Sequence, residues 1–177
     1  MKVLAICGSS RRGNTEAMLK RILDGSKEAG AQIELVLLRE KNILMCDGCL
    51  CCEKTKSCRL SDDMRIIYPK LANADVIILG SPNYFDNVSG LMKNFFDRFC
   101  PHWEQAFKGK KVVLLVVGAE GGASLKNPEK AMVRFCEICS MKIIRRIRAK
   151  AHAVEIYKNE KKMRECFSLG KKIASES

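Results

Sequence analysis

The sequence has 177 residues, of which 47% are hydrophobic, and a formal net charge of +12. A chain of this size can fill one domain and is short for two, so a single domain over residues 1–177 is predicted. The longest apolar run, at 112–119, is far below the roughly 18 to 20 residues of a membrane helix, and the first residues lack a signal-peptide pattern, so we expect a cytoplasmic protein without a membrane partner.

Apolar segments alternate with amphipathic segments along the sequence. Four nearly continuous apolar runs and one more polar run predict buried strands at 2–7, 32–38, 75–80, 111–118 and 142–149. Apolar residues recurring at helical spacing predict helices at 15–29, 62–74, 89–99, 127–140 and 159–174. Five successive strand-helix units predict an α/β fold with a doubly wound, five-stranded parallel sheet and helices on both faces.

Several residues mark the ends of these helices. Asp62 and Ser89 are predicted N-caps, and Asn127 followed by Pro128 predicts a third helix start. Pro69 lies inside the second helix and is expected to kink or shorten it, because proline removes a backbone hydrogen bond.

The stretch "CGSSRRGNT" at 7–15 differs from the P-loop pattern G-x-x-x-x-G-K-S/T by one letter. Asn14 replaces the lysine that contacts the outer phosphates of a nucleoside triphosphate, and the dinucleotide pattern G-x-G-x-x-G is absent. The loop follows a strand and opens a helix, so its backbone N–H groups and the helix dipole favour an anion. A monophosphate site is predicted, with a capped helix start that binds nothing as the alternative.

The segment at 39–61 is far longer than the roughly 2 to 6 residues of an ordinary connection. Four of its cysteines, Cys46, Cys49, Cys52 and Cys58, have the spacing C-x2-C-x2-C-x5-C, which lets four thiolates converge on an iron-sulfur cluster or on tetrahedral zinc. Cys51 offers a competing ligand, and free thiols remain a third alternative. The other cysteines are expected in the core: Cys7, Cys100, Cys136, Cys139 and Cys166.

Two further loops are predicted at the edge of the sheet that carries the phosphate loop. The stretch "GSPNYFDNVSG" at 80–90 follows the third strand and brings a turn-forming proline, two aromatic rings and side-chain donors. The stretch "GAEGGAS" at 118–124 follows the fourth strand and suits a flat ring lying against backbone. Because the carboxyl ends of parallel strands share one edge, the three loops predict a common ligand crevice.

The positive charge is concentrated near the C-terminal end. Residues 108–177 contain 17 Lys and Arg against 7 Asp and Glu. The densest run, "KIIRRIRAK" at 142–150, has no interleaved aromatic residues, so a solvated basic face is predicted and nucleic acid is not expected as a partner.

Together, "GSSRRGNT", "SPNYFDNVSGLMKNFFDR" and "GAEGG" resemble the flavodoxin-like NAD(P)H-dependent FMN reductase superfamily over nearly the whole sequence. The resemblance implies a sheet order of 2-1-3-4-5, FMN as cofactor, chemistry on the flavin rather than on a catalytic side chain, and a homodimer or homotetramer. It also implies NAD(P)H or ferredoxin as electron donor. The candidate FMN-binding residues are Ser9, Ser10, Arg11, Gly13, Asn14, Thr15, Pro82, Asn83, Tyr84, Phe85, Gly118, Glu120, Gly121 and Gly122.

The cysteine spacing is similar to that of the iron-sulfur flavoprotein branch of this superfamily. This resemblance implies that Cys46, Cys49, Cys52 and Cys58 hold a 4Fe-4S cluster beside FMN. The main hypothesis is therefore an electron-transfer flavoprotein that passes electrons between cluster and FMN, with the basic C-terminal part steering an acidic partner such as ferredoxin. The alternatives are an NAD(P)H-dependent FMN or quinone reductase without a cluster, and a redox or metal sensor that binds a partner.

Overall fold

The computed structural model describes residues 1–102, 107–152 and 156–175. Within this part of the chain the strands are β1 (Lys2–Cys7), β2 (Gln32–Leu37), β3 (Val76–Tyr84), β4 (Asn87–Val88), β5 (Lys111–Gly118) and β6 (Lys142–Lys150). The α-helices are α1 (Asn14–Glu28), α2 (Cys51–Thr55), α3 (Met64–Asn73), α4 (Gly90–Asp97), α5 (Lys126–Ile138) and α6 (Glu160–Ser175).

The five long strands form a parallel sheet in the order β2-β1-β3-β5-β6. Numbered without the two-residue β4, this is the predicted order 2-1-3-4-5, and the doubly wound α/β fold is confirmed. The structure adds one feature that was not predicted. Strand β3 runs on to Tyr84, and β4 folds back antiparallel on its end, pairing Asn83 with Val88 and Tyr84 with Asn87.

The core lies in two apolar layers, one on each face of the sheet. Alternate residues of each central strand point to opposite faces, so Ile77 and Leu79 pack with α3, α4 and α5, while Val76 and Ile78 pack with α1 and α6. The thiols of Cys7, Cys136, Cys139 and Cys166 are buried as predicted. The prediction for Cys100 is wrong, because Cys100 begins a 3-10 turn just after α4 and is exposed.

Helices α1 and α6 pack backbone against backbone through two glycines. A Cβ atom on Gly170 would overlap the carbonyl oxygen of Ile22 and lie 3.0 Å from the Cα of Gly25. The buried Ser26 hydroxyl donates to the Gly170 carbonyl at 3.1 Å. Glycine at these positions therefore sets how closely the two helices approach.

Of the three predicted helix N-caps, one is confirmed and two are displaced. Ser89 caps α4 as predicted, its hydroxyl accepting the Met92 N–H at 3.1 Å. Helix α5 begins at Lys126, before the predicted cap Asn127, because the 3-10 turn Gly122–Leu125 runs directly into it. Asp62 accepts the Met64 N–H at 3.0 Å but lies one residue before the cap position of α3.

Helix α3 is continuous over ten residues with Pro69 inside it, so the proline does not divide it. None of the described helices combines the length and the apolar character needed to cross a membrane.

Candidate functional site

A cavity of about 370 Å³ opens at the carboxyl edge of the sheet, where the loops after β1, β3, β5 and β6 meet. The predicted residues that line it are Ser9, Arg11, Asn14, Thr15, Pro82, Asn83, Tyr84 and Gly118. Sequence reasoning missed the other lining residues, which are Val117, Ala119, Ala151 and His152. These residues lie at the ends of β5 and β6, and that position in the sequence could have identified them as candidates.

The loop after β1 is held in place by the neighbouring strand and helix. The Gly8 N–H donates to the Gly80 carbonyl at 2.8 Å, and the buried Ser89 hydroxyl donates to the Gly8 carbonyl at 2.6 Å. A Cβ atom on Gly8 would come within 2.9 Å of the Met92 Cβ. Glycine here lets α4 approach the loop, so the cap of one helix also anchors the loop that begins another.

The start of α1 faces the cavity with Gly13 in the N-cap position, where no side chain caps the first turn. Such a helix start attracts anions through its N–H groups and dipole. The Asn14 side-chain oxygen accepts the Ile156 N–H at 3.0 Å, which ties the loop to the segment before α6. The Asn14 oxygen therefore has a structural partner across the site.

One carboxylate lies beneath this anion-attracting loop, and it is neutralised. Glu16 is 5% exposed and forms ion pairs with Lys20 at 2.6 Å and Arg39 at 2.8 Å. Burial alone would raise the pKa of Glu16, but hydrogen bonds and charge from Lys20 and Arg39 outweigh burial and lower it. The two cations prevent Glu16 from repelling an anion in the loop.

The opposite end of the cavity is formed by the ends of β3 and β5. The Asn83 amide nitrogen donates to the Ser124 hydroxyl at 2.7 Å, which fixes the orientation of the amide. The buried Asn83 Oδ1 has no hydrogen-bond partner among the described residues. A Cβ atom on Gly118 would come within 2.7 Å of Leu125. A fixed carbonyl oxygen at this cavity can accept an N–H group from a ligand.

A second cavity of about 480 Å³ adjoins the first and shares Asn83 and Ala119 with it. The predicted residues Phe85 and Glu120 line this second cavity. Phe85 and Asp86 form the turn between β3 and β4 with φ values of 49° and 56°, a region that costs energy for residues other than glycine. The Phe85 ring is fully exposed.

Four of the predicted residues line neither cavity, although they lie beside them. Ser10 is exposed, and its hydroxyl is 3.3 Å from the Tyr84 hydroxyl. Gly13 supplies the start of α1, and Gly121 and Gly122 lie in the exposed turn after β5, with a φ of 67° at Gly122.

The structure does not bring the four cysteines of the predicted ligand set together. Cys46 and Cys49 are exposed, while Cys52 and Cys58 are partly buried. Across the described ranges, no group of three or more His, Cys, Asp or Glu side chains is arranged to hold a metal ion.

A buried ion pair anchors both ends of the cysteine segment. The Arg98 side chain is 1% exposed and pairs with Asp62, whose side chain is fully buried. The same guanidinium donates to the Leu44 carbonyl at 2.7 Å and to the Cys58 sulfur at 3.4 Å, and the Asp62 carboxylate accepts the Leu44 N–H at 2.9 Å. Burial alone would raise the pKa of Asp62, but Arg98 and two backbone N–H groups lower it. Sequence reasoning missed Arg98. A single cation within the aromatic run "FFDRF" is the sequence feature that could have indicated a buried arginine.

Two thiols of this segment have pKa values shifted by their neighbours. The Cys52 thiol is in contact with that of Cys100, and burial followed by this contact raises the pKa of Cys52 to about 11. The pKa of the Cys49 thiol is lowered, first by the Cys51 backbone N–H and next by the Arg59 guanidinium. The environments of the predicted ligands therefore differ.

Comparison with known proteins gives one family match. The family described as NADPH-dependent FMN reductase matches residues 1–153. An iron-sulfur flavoprotein of Archaeoglobus fulgidus is 40% identical over 98 residues, which are 55% of this chain and 48% of the relative. Another from the same organism is 36% identical over 124 residues, covering 69% of this chain and 56% of the relative. The chain spans about half the length of the curated relatives it matches.

The fold is also similar to that of solved structures. An NAD(P)H:quinone oxidoreductase from Methanothermobacter marburgensis superposes with a TM-score of 0.73 at 15% identity and covers 98% of both chains. At this level of identity the likeness concerns the fold alone.

Proposed function

Because the chain belongs to the NADPH-dependent FMN reductase family, we propose that it is an FMN-dependent oxidoreductase whose flavin occupies the first cavity. The family match and the iron-sulfur flavoproteins among the relatives confirm the resemblance predicted from the motifs. The observation that carries the proposal is the pairing, in one cavity, of an anion-attracting helix start with the unpartnered Asn83 oxygen. These features fit a ligand with a phosphate at one end and an N–H group at the other.

Different residues of the cavity would bind different parts of FMN. Arg11 and Thr15, with the N–H groups of the loop, would bind the phosphate, and Ser9 would keep the loop folded through its bonds to Arg11. Asn83 would accept an N–H of the ring system, which Pro82 and Tyr84 would pack against. Bound FMN supplies hydride and single-electron transfer chemistry.

We propose that the electron donor or acceptor binds at the second cavity. Its lining includes Phe85, whose exposed ring can stack on a planar molecule, and Glu120. The adjacent turn of Gly121 and Gly122 leaves backbone accessible. NAD(P)H and ferredoxin are the two proposed donors, and the basic C-terminal part would attract the acidic one.

We further propose that Cys46, Cys49, Cys52 and Cys58 hold a 4Fe-4S cluster. The chemistry of the donor set fits, because four thiols lie within 13 residues and Arg98 donates to the sulfur of Cys58. The turns at Gly48, Leu50 and Lys56 have positive φ and let the segment wrap. A cluster would supply single-electron transfer. The names of the relatives also support this assignment.

A second candidate is a reductase without a cluster, whose cysteine segment is structural or binds zinc. Its metal-free form is favoured by the absence, within the described residues, of an assembled metal-binding group. In this case hydride would pass from NAD(P)H to the flavin directly.

Anaerobic purification with flavin, iron and zinc analysis distinguishes these candidates. We expect one FMN and about four iron atoms per chain. A Cys49→Ser variant should lose iron, whereas a Cys51→Ser control should keep it. Flavin without iron after anaerobic reconstitution would favour the simple reductase, and fast flavin reduction by NADPH rather than by reduced ferredoxin would identify the donor.

The flavin site itself is tested with two neighbouring arginines. Arg11 lines the cavity and Arg12 does not. Loss of a charge-assisted hydrogen bond costs about 1.5–3 kcal/mol, so Arg11→Ala should weaken FMN binding by about 10- to 150-fold, with Arg12→Ala nearly unchanged. Equal effects of the two variants would argue against the proposed phosphate position. A homodimer or homotetramer is also proposed and is measured by light scattering.

A further inference from the structure

The cysteine segment touches a thiol that lies outside the predicted ligand set. The thiols of Cys52 and Cys100 are in contact, although the two residues are far apart in sequence. Helix α2, which carries Cys52, packs against the 3-10 turn Cys100–His102. Both cysteines are free thiols. Two reduced thiols on separate elements therefore meet side to side.

The two thiols lie on elements that differ in how firmly the core holds them. Cys100 lies between the buried residues Phe99 and Pro101, two residues after the buried Arg98, so the core holds its backbone. Helix α2 has no buried residue and belongs to the exposed part of the cysteine segment. The Cys100 side chain is itself exposed, which gives a small oxidant access to its sulfur. The contact thus joins a firmly held, accessible thiol to one on an adjustable element.

We propose that Cys52 and Cys100 are a redox modification site that forms a reversible disulfide in the presence of a peroxide. Hydrogen peroxide oxidises the Cys100 thiol to a sulfenic acid and leaves as water. The Cys52 sulfur then attacks the sulfenic sulfur, an S–S bond forms, the S–O bond breaks, and a second water leaves with the remaining protons. Two thiols and one peroxide give one disulfide and two waters. A dithiol reductant reverses the reaction.

The disulfide would compete with metal binding, a consequence that rests on the proposed cluster. Cys52 is one of the four candidate ligands, and its sulfur cannot bind iron while it is joined to Cys100. Cys58, whose sulfur accepts from Arg98, takes no part in this disulfide. Oxidation would therefore leave the segment with three candidate ligands and block assembly of the cluster.

Disulfide mapping of the full chain tests the modification site without any cluster. The metal-free protein is treated with one equivalent of hydrogen peroxide, remaining thiols are alkylated, and linked peptides are identified by mass spectrometry. We expect a Cys52–Cys100 link within one chain, which is lost on reduction. Cys100→Ser should abolish this link, and Cys51→Ser, a matched control for an exposed cysteine beside Cys52, should retain it.

The outcomes separate this proposal from the proposed function. Links found instead between Cys52 and Cys58, between Cys49 and Cys51, or between chains would overturn the site. With the Cys52–Cys100 link verified, iron uptake during reconstitution should fall at least tenfold in the wild type and stay unchanged in Cys100→Ser after the same treatment. Full iron uptake by the linked protein would overturn the competition and the ligand role of Cys52 together.

Discussion

The buried pair between Arg98 and Asp62 should be the largest single electrostatic contribution to the order of the cysteine segment. Replacing Arg98 by Met leaves a carboxylate with no exposed surface and no cation beside it. Breaking a buried pair from one side costs about 3–5 kcal/mol. Arg98→Met and Asp62→Asn should each lower the free energy of unfolding by an amount in this range.

Urea unfolding followed by circular dichroism measures the effect. With an m-value of about 2 kcal/mol per molar urea, a loss of 3–5 kcal/mol lowers the midpoint by about 1.5–2.5 M. The control is the exposed pair of Lys93 with Asp97 on α4, whose side chains are 62% and 45% exposed. Asp97→Asn should cost less than about 1 kcal/mol, as surface pairs do.

A double variant sharpens the test. Combining Arg98→Met with Asp62→Leu removes both charges, so part of the lost stability should return. Recovery will be incomplete because Arg98 also donates to the Leu44 carbonyl and Asp62 accepts its N–H. Single variants that lose no more than the Asp97 control would refute the reasoning, because the pair would then behave as if it were solvated.

Three further predictions concern the packing and charge of the fold. Gly170→Ala should destabilise the protein by about 1–3 kcal/mol in urea unfolding, because the added methyl overlaps backbone, whereas Gly90→Ala, with no atom within 4 Å of its Cβ, should be neutral or stabilising. Ser89→Ala should cost about 1–2 kcal/mol and weaken FMN binding, because one hydroxyl caps α4 and holds the phosphate loop; unchanged flavin affinity would argue against the second role. The folded protein lowers the pKa values of the Glu16 and Asp62 carboxyl groups, so their ionised forms stabilise it above about pH 4. This stability is lost as the pH falls through the folded-state pKa values. The free energy of unfolding measured from pH 7 to pH 3 should therefore fall at the acidic end, and less steeply in Asp62→Asn.

The sheet could be predicted from sequence because its signals are local. The apolar run at 112–118 fills β5 after Lys111, since a strand buried on both faces needs an apolar residue at every buried position. The end of β3 was predicted too early, at Gly80, because Ser81, Pro82 and Asn83 are turn formers. In the structure Pro82 still pairs in register with Val117, at the point where the parallel ladder ends.

The candidate site was predictable where the edge of the sheet carries distinctive residues, as at Asn14, which begins α1, and at Asn83, near the end of β3. Arg98 reaches Asp62 through tertiary packing, and nothing in the sequence around Arg98 specifies that partner. Cys100 shows the same limit, since a lone cysteine after an aromatic helix reads as a core residue. Its exposure follows from where the chain turns after α4, which depends on the whole fold.

Strand β6 gives the basic run at 142–150 a role in keeping molecules apart. It is an edge strand of the sheet, and in the described part of the chain no strand pairs with its outer side. An edge with unpaired backbone groups invites a strand from another molecule. Five of its nine residues are Lys or Arg, all five are exposed, and Glu129 pairs with Arg148 at 3.2 Å. Like charges would meet if two such edges approached, so this strand protects the fold from edge-to-edge aggregation whatever partner the charge attracts.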